Sequence, residues 1–217
     1  MSFMTFFTVL KVGFIQTNCY IFSDGDECIV IDPGAADPNI VAKIKELSQN
    51  PKVSILLTHC HADHFMGTDY LLENFPGSKV YATKEDQPYL FDSNKNCAKM
   101  FNVEIVLKDK STLQTIHDGQ ILPFGKYNIE VIATPGHTPG GVIFVLRDQK
   151  TVFSGDSLFN NGVGRSDLPG GNSAVLQNSL KTKILTLPSD FKVYPGHGPS
   201  TTIGYEKRNL EWLSNIF

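Results

Sequence analysis

Directly after the short apolar run Ser54 to Leu57, the chain reads Thr58-His59-Cys60-His61-Ala62-Asp63-His64, four potential metal ligands in six positions. A brief apolar run of that kind is the pattern of a buried strand, so the polar cluster falls where a strand ends. His59 and His61 are two residues apart. On an extended backbone alternate side chains share a face, so their imidazoles can chelate one ion while Cys60 points the other way. Asp63 and His64 follow as the chain turns into a helix, where adjacent residues can converge on a second point. Such a density of ligand types at a strand end favours a metal site over a polar surface loop.

A site for two ions needs further donors, and three candidates stand in similar settings. His137 lies in Ala133-Thr134-Pro135-Gly136-His137-Thr138, Asp156 in Phe153-Ser154-Gly155-Asp156, and His197 in Tyr194-Pro195-Gly196-His197-Gly198. Each follows an expected strand, and open α/β sheets collect their sites at the carboxyl ends of strands. A neighbouring glycine lets the backbone turn tightly beside each one. The remaining histidine, His117, precedes Asp118-Gly119 and reads as a surface residue beside a hairpin turn.

The rhythm along the chain is that of a layered α/β domain. Strands are expected at Phe6 to Val12, Asn18 to Phe22, Cys28 to Asp32 and Val53 to Leu57. The second half supplies more at Tyr127 to Ala133, Val142 to Leu146, Thr151 to Ser154 and Phe191 to Tyr194. Helices are expected from Pro38 to Asn50-Pro51, and over Phe65 to Asn74, Ala174 to Leu187 and Tyr205 to Ile216. An apolar run followed by Pro-Gly-His occurs at Val131 to Pro139 and again at Lys192 to Pro199, hinting at two similar halves. No flexible linker divides the 217 residues, so one domain over 1–217 is expected.

Composition narrows the function classes. The net charge of −3 is spread without a basic block, which argues against nucleic acid and anionic membrane. No apolar run approaches the length of a membrane span. Met1 to Leu10 lacks the basic start and cleavage site of a secretion signal and reads as a strand of the mature protein. Four cysteines without a C-x-x-C pair suit a reducing, cytoplasmic location.

The H-x-H-x-D-H pattern, followed by the spaced His137, Asp156 and His197, resembles the metallo-β-lactamase superfamily. The resemblance runs from Asp32 to His197 and implies a four-layer αββα sandwich. It implies that His59, His61 and His137 bind one ion, that Asp63, His64 and His197 bind a second, and that Asp156 bridges. Asp32 would support the site, or serve only as a turn-forming residue before Pro33-Gly34. Two divalent ions are thus expected, with zinc as the first choice and iron or manganese as alternatives, since histidine and carboxylate suit all three.

A β-lactamase would be expected to carry a secretion signal and, in its commonest class, a cysteine where Asp156 stands. The segments Gly164 to Gly171, Pro195 to Thr202 and Glu206 to Asn209 are instead similar to compact glyoxalase II-like proteins, which hydrolyse S-acyl-glutathione thioesters. No counterpart is expected here of the basic C-terminal helical region by which two-domain glyoxalase II holds glutathione, so the thiol carrier is left open. Arg165 and Arg208 can grip a substrate carboxylate or pin a loop.

In this reading two cations share a water, lower its pKa to about 7 and hold hydroxide against the thioester carbonyl. Asp63 and Asp156 orient that nucleophile. The leaving thiolate needs little proton assistance, its thiol having a pKa of about 8.5. One rival reading rests on the same motifs, which also resemble persulfide dioxygenases with a single iron on His59, His137 and Asp156. Another is a non-catalytic metal-binding or nucleic-acid-binding module, although a structural zinc site closes with four ligands rather than seven.

Overall fold

The structure, a computed structural model, describes residues 7–49 and 51–209. Its first six-stranded sheet runs in chain order: β1 (Thr8–Val12), β2 (Thr17–Ser23), β3 (Glu27–Ile31), β4 (Lys52–Leu56), β5 (Lys79–Thr83) and β6 (Leu113–Ile116). The second has β7 (Ile121–Phe124), β8 (Tyr127–Ala133), β9 (Val142–Leu146), β10 (Thr151–Gly155), β13 (Lys192–Pro195) and β14 (Thr201–Thr202), in the spatial order β14-β13-β10-β9-β8-β7. A small hairpin of β11 (Leu158–Phe159) and β12 (Gly162–Val163) stands apart.

Period-two alternation sorts the side chains into layers. On β2 and β3, Cys19, Ile21, Cys28 and Val30 face outward, where α1 (Pro38–Leu47) lays down Ile40, Val41 and Ile44. Their neighbours Tyr20, Phe22, Ile29 and Ile31 face inward and meet Val131, Phe144 and Phe153 of the second sheet. On the far side of that sheet, Ile143, Val145, Val152 and Val193 pack on Leu176, Leu180, Ile184 and Ile203. The layer order is therefore helices, sheet, sheet, helices.

Helix α1 begins where Pro38 presets the first turn and the Asp37 carboxylate accepts the Asn39 backbone N–H at 2.8 Å. The helix expected over Phe65 to Asn74 is two short ones, α2 (Ala62–Phe65) and α3 (Thr68–Asn74). They part at Gly67, whose N–H bonds the Pro33 carbonyl at 2.7 Å and whose missing Cβ would overlap the Ala35 carbonyl oxygen. The turn after β3 thus presses on the helix junction. The expected 174–187 helix is α4 (Ser173–Ser179), continued by a π-helical turn over Leu180–Ile184. The last helix among the described residues is α5 (Ile203–Asn209), and the rest of its expected span lies outside them, as do positions 1–6.

Strands β5, β6 and β7 carry no clear periodic signal. Pro123 sits in β7, which the topology places at a sheet edge where a missing N–H is tolerated. The two Pro-Gly-His echoes both follow strands of the second sheet, β8 and β13, and so do not divide between two halves of the molecule. The four cysteines are buried and unpaired. Among the described residues no helix is long and apolar enough to cross a membrane.

Candidate metal centre

The carboxyl ends of β4, β8, β10 and β13 meet along one edge of the two sheets. The join is made by backbone: the Val142 N–H donates to the Thr58 carbonyl at 2.8 Å, and the Asn18 N–H to the Gly196 carbonyl at 2.7 Å. Gly155 has a φ of +48°, and a Cβ there would overlap the Thr58 side chain, so the approach of the two sheets requires glycine. Asn18 and Tyr20 of β2 reach across the gap. Asn18 Nδ2 donates to the carbonyls of Pro195 and Gly198 at 2.9 Å each, and the Tyr20 hydroxyl donates to Pro195 at 2.6 Å, which holds the His197 turn in place.

The seven side chains named in the sequence come together at this edge. One donor atom each from His59, His61 and His137 lie within 4.8 Å of one another; so do those of His59, His64 and Asp156, and those of Asp63, His64 and His197. His61 Nδ1 is 2.9 Å from His137 Nε2, and His64 Nε2 is 3.3 Å from His197 Nε2. Asp156 faces both groups: Oδ1 lies 3.4 Å from His64 Nε2, and Oδ2 lies 3.7 Å from His137 Nε2 and 3.6 Å from His197 Nε2. Asp63 Oδ2 is 3.2 Å from His197 Nε2 and accepts the Thr17 hydroxyl at 3.2 Å.

Several rings are oriented by their second nitrogen. Asp32 is the centre of this arrangement. Its Oδ1 accepts the Thr58 N–H at 2.8 Å, and its Oδ2 accepts the Thr58 hydroxyl at 2.7 Å and His64 Nδ1 at 2.9 Å. Because the Thr58 hydroxyl is spent on Asp32, its oxygen accepts His59 Nδ1 at 3.1 Å and leaves His59 Nε2 facing the cluster. His137 Nδ1 donates to the Arg165 carbonyl at 2.7 Å, with the same result for its Nε2. Asp32 holds a φ of +52°, a left-handed conformation that aspartate tolerates. Turn chemistry and ring orientation thus fall on the same residue.

The electrostatics suit cations. Burial, and then His64 and His137, push the pKa of His59 well down; burial and then His137 bring His61 to about 3. Both imidazoles are therefore neutral at neutral pH, the form that coordinates metal. Burial opposes the charge on Asp156 and Asp63, but His64 and its neighbours outweigh it and hold both carboxyls below their usual range. Burial likewise opposes a charged His64, yet Asp63, Asp156 and Asp32 raise it well above the ordinary imidazole value. Three carboxylates thus face His64, at 2.9 Å for Asp32 and 3.4 Å each for Asp63 and Asp156, a concentration of negative charge that suits a cation.

Three buried atoms in the cluster, His59 Nε2, His61 Nε2 and Asp156 Oδ1, have no hydrogen-bond partner. Orphaned buried donors and acceptors are costly, and unpartnered atoms on three residues of the cluster fit a site built to hold a cation. The site opens on one side: the His197 and Asp63 side chains are 24% and 21% exposed, whereas that of His64 is fully buried.

Other residues fall elsewhere. Cys60 packs in the outer core, away from the donor groups. His117 is exposed in the turn between β6 and β7, its Nδ1 bonded to the Asp118 carbonyl at 3.0 Å. The Arg165 guanidinium is exposed and forms a two-pronged pair with Asp167 at 2.6 and 2.7 Å, while its carbonyl serves His137. Arg208 is exposed on α5. Thr17, Asn18, Tyr20 and Thr58 carry no site signal in the sequence. They are unremarkable strand and loop residues that bond groups far along the chain, Thr58 meeting the adjacent His59 as well.

A family model described as the metallo-beta-lactamase superfamily matches residues 12–197. The hydroxyacylglutathione hydrolase GloC of Haemophilus influenzae is 37% identical over 211 residues, covering 95% of this chain and 97% of its own. Among solved structures, the BLEG-1 B3 metallo-beta-lactamase superposes with a TM-score of 0.85 at 35% identity, covering 93% of this chain and 96% of that one. TTHA1623, solved in a di-iron-bound form, superposes with a TM-score of 0.79 at 34% identity, covering 93% and 98%. With the helix-sheet-sheet-helix order, the shared sheet edge carrying the donor cluster and a family match over most of the length, the chain belongs to the metallo-β-lactamase superfamily.

Proposed function

We propose that the chain is a binuclear metal-dependent hydrolase that cleaves a small-molecule thioester such as S-lactoylglutathione. The observation that carries the binuclear reading is the placement of one carboxylate, Asp156, with its side chain 12% exposed, against both donor groups at the joined sheet edge. His59, His61 and His137 would hold one ion, Asp63, His64 and His197 the other, with Asp156 between them. The thioester is supported by the likeness to the GloC hydrolase, and two ions rather than one by the likeness to a di-iron-bound structure.

When bound, two such ions supply Lewis acidity and a water whose pKa falls to about 7. The chain's own residues supply the rest. Asp32 and Thr58 hold the tautomers of His59 and His64, so that both present Nε2 to the cluster without reorganisation. The Thr17 hydroxyl fixes the Asp63 carboxylate at the open side of the site, where it can orient the attacking water toward a carbonyl carbon. A thiolate leaves with little help, which agrees with the lack of any further acid among the seven side chains.

The deciding experiment pairs elemental analysis with two assays, thiol release from S-lactoylglutathione and oxygen uptake on glutathione persulfide. About two ions per chain with thiol release is the expected result. One iron with oxygen uptake and little cleavage would replace this reading by the dioxygenase, and turnover of neither would point to a binding module. Native metal identity is read from the same elemental analysis.

A second test uses backbone space. A Cβ at Gly196 would overlap Asp156 Oδ1 and the His64 ring. Gly196→Ala is therefore expected to weaken metal binding by about 10- to 100-fold, the range seen when groups that support ligands are disturbed. Zinc competition with a chelator reads it, and wild-type affinity in that variant would remove Asp156 and His64 from the ligand set.

A further inference from the structure

Asp86 is a buried carboxylate, 1% exposed, that belongs to neither donor group. It sits between β5 and a 3₁₀ turn over Gln87–Phe91. Three hydrogen bonds converge on it. Oδ2 accepts the Cys60 N–H at 3.1 Å and the Thr138 hydroxyl at 2.7 Å, and Oδ1 accepts the Gly140 N–H at 2.6 Å.

Cys60 stands between His59 and His61, and Thr138 and Gly140 follow His137. One carboxylate therefore ties the histidine loop of the first sheet to the histidine loop of the second. The Thr83 hydroxyl adds a bond to the Gly140 carbonyl at 2.8 Å from the same side. Every partner of the Asp86 carboxylate is a donor. An amide in its place could offer one acceptor oxygen, and its NH₂ would face a buried N–H or O–H. Only a carboxylate satisfies all three, and bonds to an ionised acceptor are the stronger kind.

We propose that Asp86 is a positioning residue for the three-histidine position, setting the separation of His61 from His137 and through it the affinity and geometry of the ion held there. The inference rests on reading the cluster as a metal site, and not on which substrate is turned over. Ligand spacing decides how well a site fits an ion, and removing a supporting partner outside the ligand set costs about 10- to 100-fold in metal affinity.

The test is zinc affinity of Asp86→Asn against wild type, measured by competition with a chromophoric chelator, together with the visible absorption of the cobalt(II)-loaded proteins. Asp86→Asn should hold one of its two zinc ions about tenfold or more weaker, with a changed cobalt spectrum. Thr138→Val removes a single donor and should shift affinity in the same direction by less, which keeps the question open to answer if Asp86→Asn does not fold. A fall in the melting temperature of the metal-free variants, with zinc affinity and cobalt spectrum unchanged, would reduce Asp86 to a structural residue and overturn the inference alone. A wild-type chain that takes up no zinc or cobalt would overturn the metal-site reading and this inference with it.

Discussion

Asp156→Ala should lose activity by on the order of a thousandfold or more, about 4 kcal/mol of transition-state stabilisation, and should retain one metal ion or fewer per chain. Asp156 touches histidines of both donor groups, at 3.4 Å to His64, 3.7 Å to His137 and 3.6 Å to His197. In the proposed binuclear site it would be the negative group between two cations, and its removal would leave their repulsion unscreened. Asp156→Asn keeps the shape and deletes the charge, so its loss of metal isolates the electrostatic part. Steady-state thioester assays with elemental analysis on each variant read both quantities. A variant that keeps both ions and a tenth or more of the wild-type turnover would falsify the bridging role.

The second large effect is on stability. Phe153→Ala should destabilise the fold by about 3–5 kcal/mol, the range for deleting a buried aromatic ring and leaving its cavity. Phe153 is fully buried between the sheets. Its ring meets Tyr20 at 4.8 Å, Phe7 at 5.4 Å, and Phe22 and Tyr194 at 5.9 Å each. Aromatic pairs of this kind add to the stabilisation from burial alone. Denaturant unfolding should show a lower midpoint with an unchanged slope. Ile121→Ala, at a side chain 52% exposed on an edge strand, serves as the contrast and should stay within about 1 kcal/mol of wild type. Equal effects at both positions would mean that the sheets do not rely on the Phe153 cluster. Asp156 lies three residues beyond Phe153 on the same chain segment, so the core that holds the sheets together also aims the site.

The site was readable from the chain where chemistry is local. His59, His61, Asp63 and His64 are close in sequence, and the glycine-flanked His137, Asp156 and His197 stand at strand ends that hydrophobic runs announce. Asp32 could be noticed there only as a support or a turn former, and the structure shows it accepting three hydrogen bonds in a left-handed conformation. The strands rich in Val, Ile and Phe were equally plain, because alternation on a buried sheet leaves a period that needs no partner to be seen. Strands β5 to β7 left no such trace, being short, partly polar or interrupted by Pro123.

What the chain by itself determined was the donor inventory, the strand ends that carry it and the alternating sheet faces, all properties of neighbours within a few residues. Tertiary structure alone decided which groups face one another. It split the expected 65–74 helix, because Gly67 packs against a turn some thirty residues away. It placed both Pro-Gly-His echoes in one sheet. It turned the Arg165 side chain to Asp167 and its carbonyl to His137, and brought Asn18, Tyr20 and Asp86 to loops distant in sequence. The physical reason is that a hydrogen bond between distant segments depends on the packing of two sheets, and packing leaves no period in a single strand.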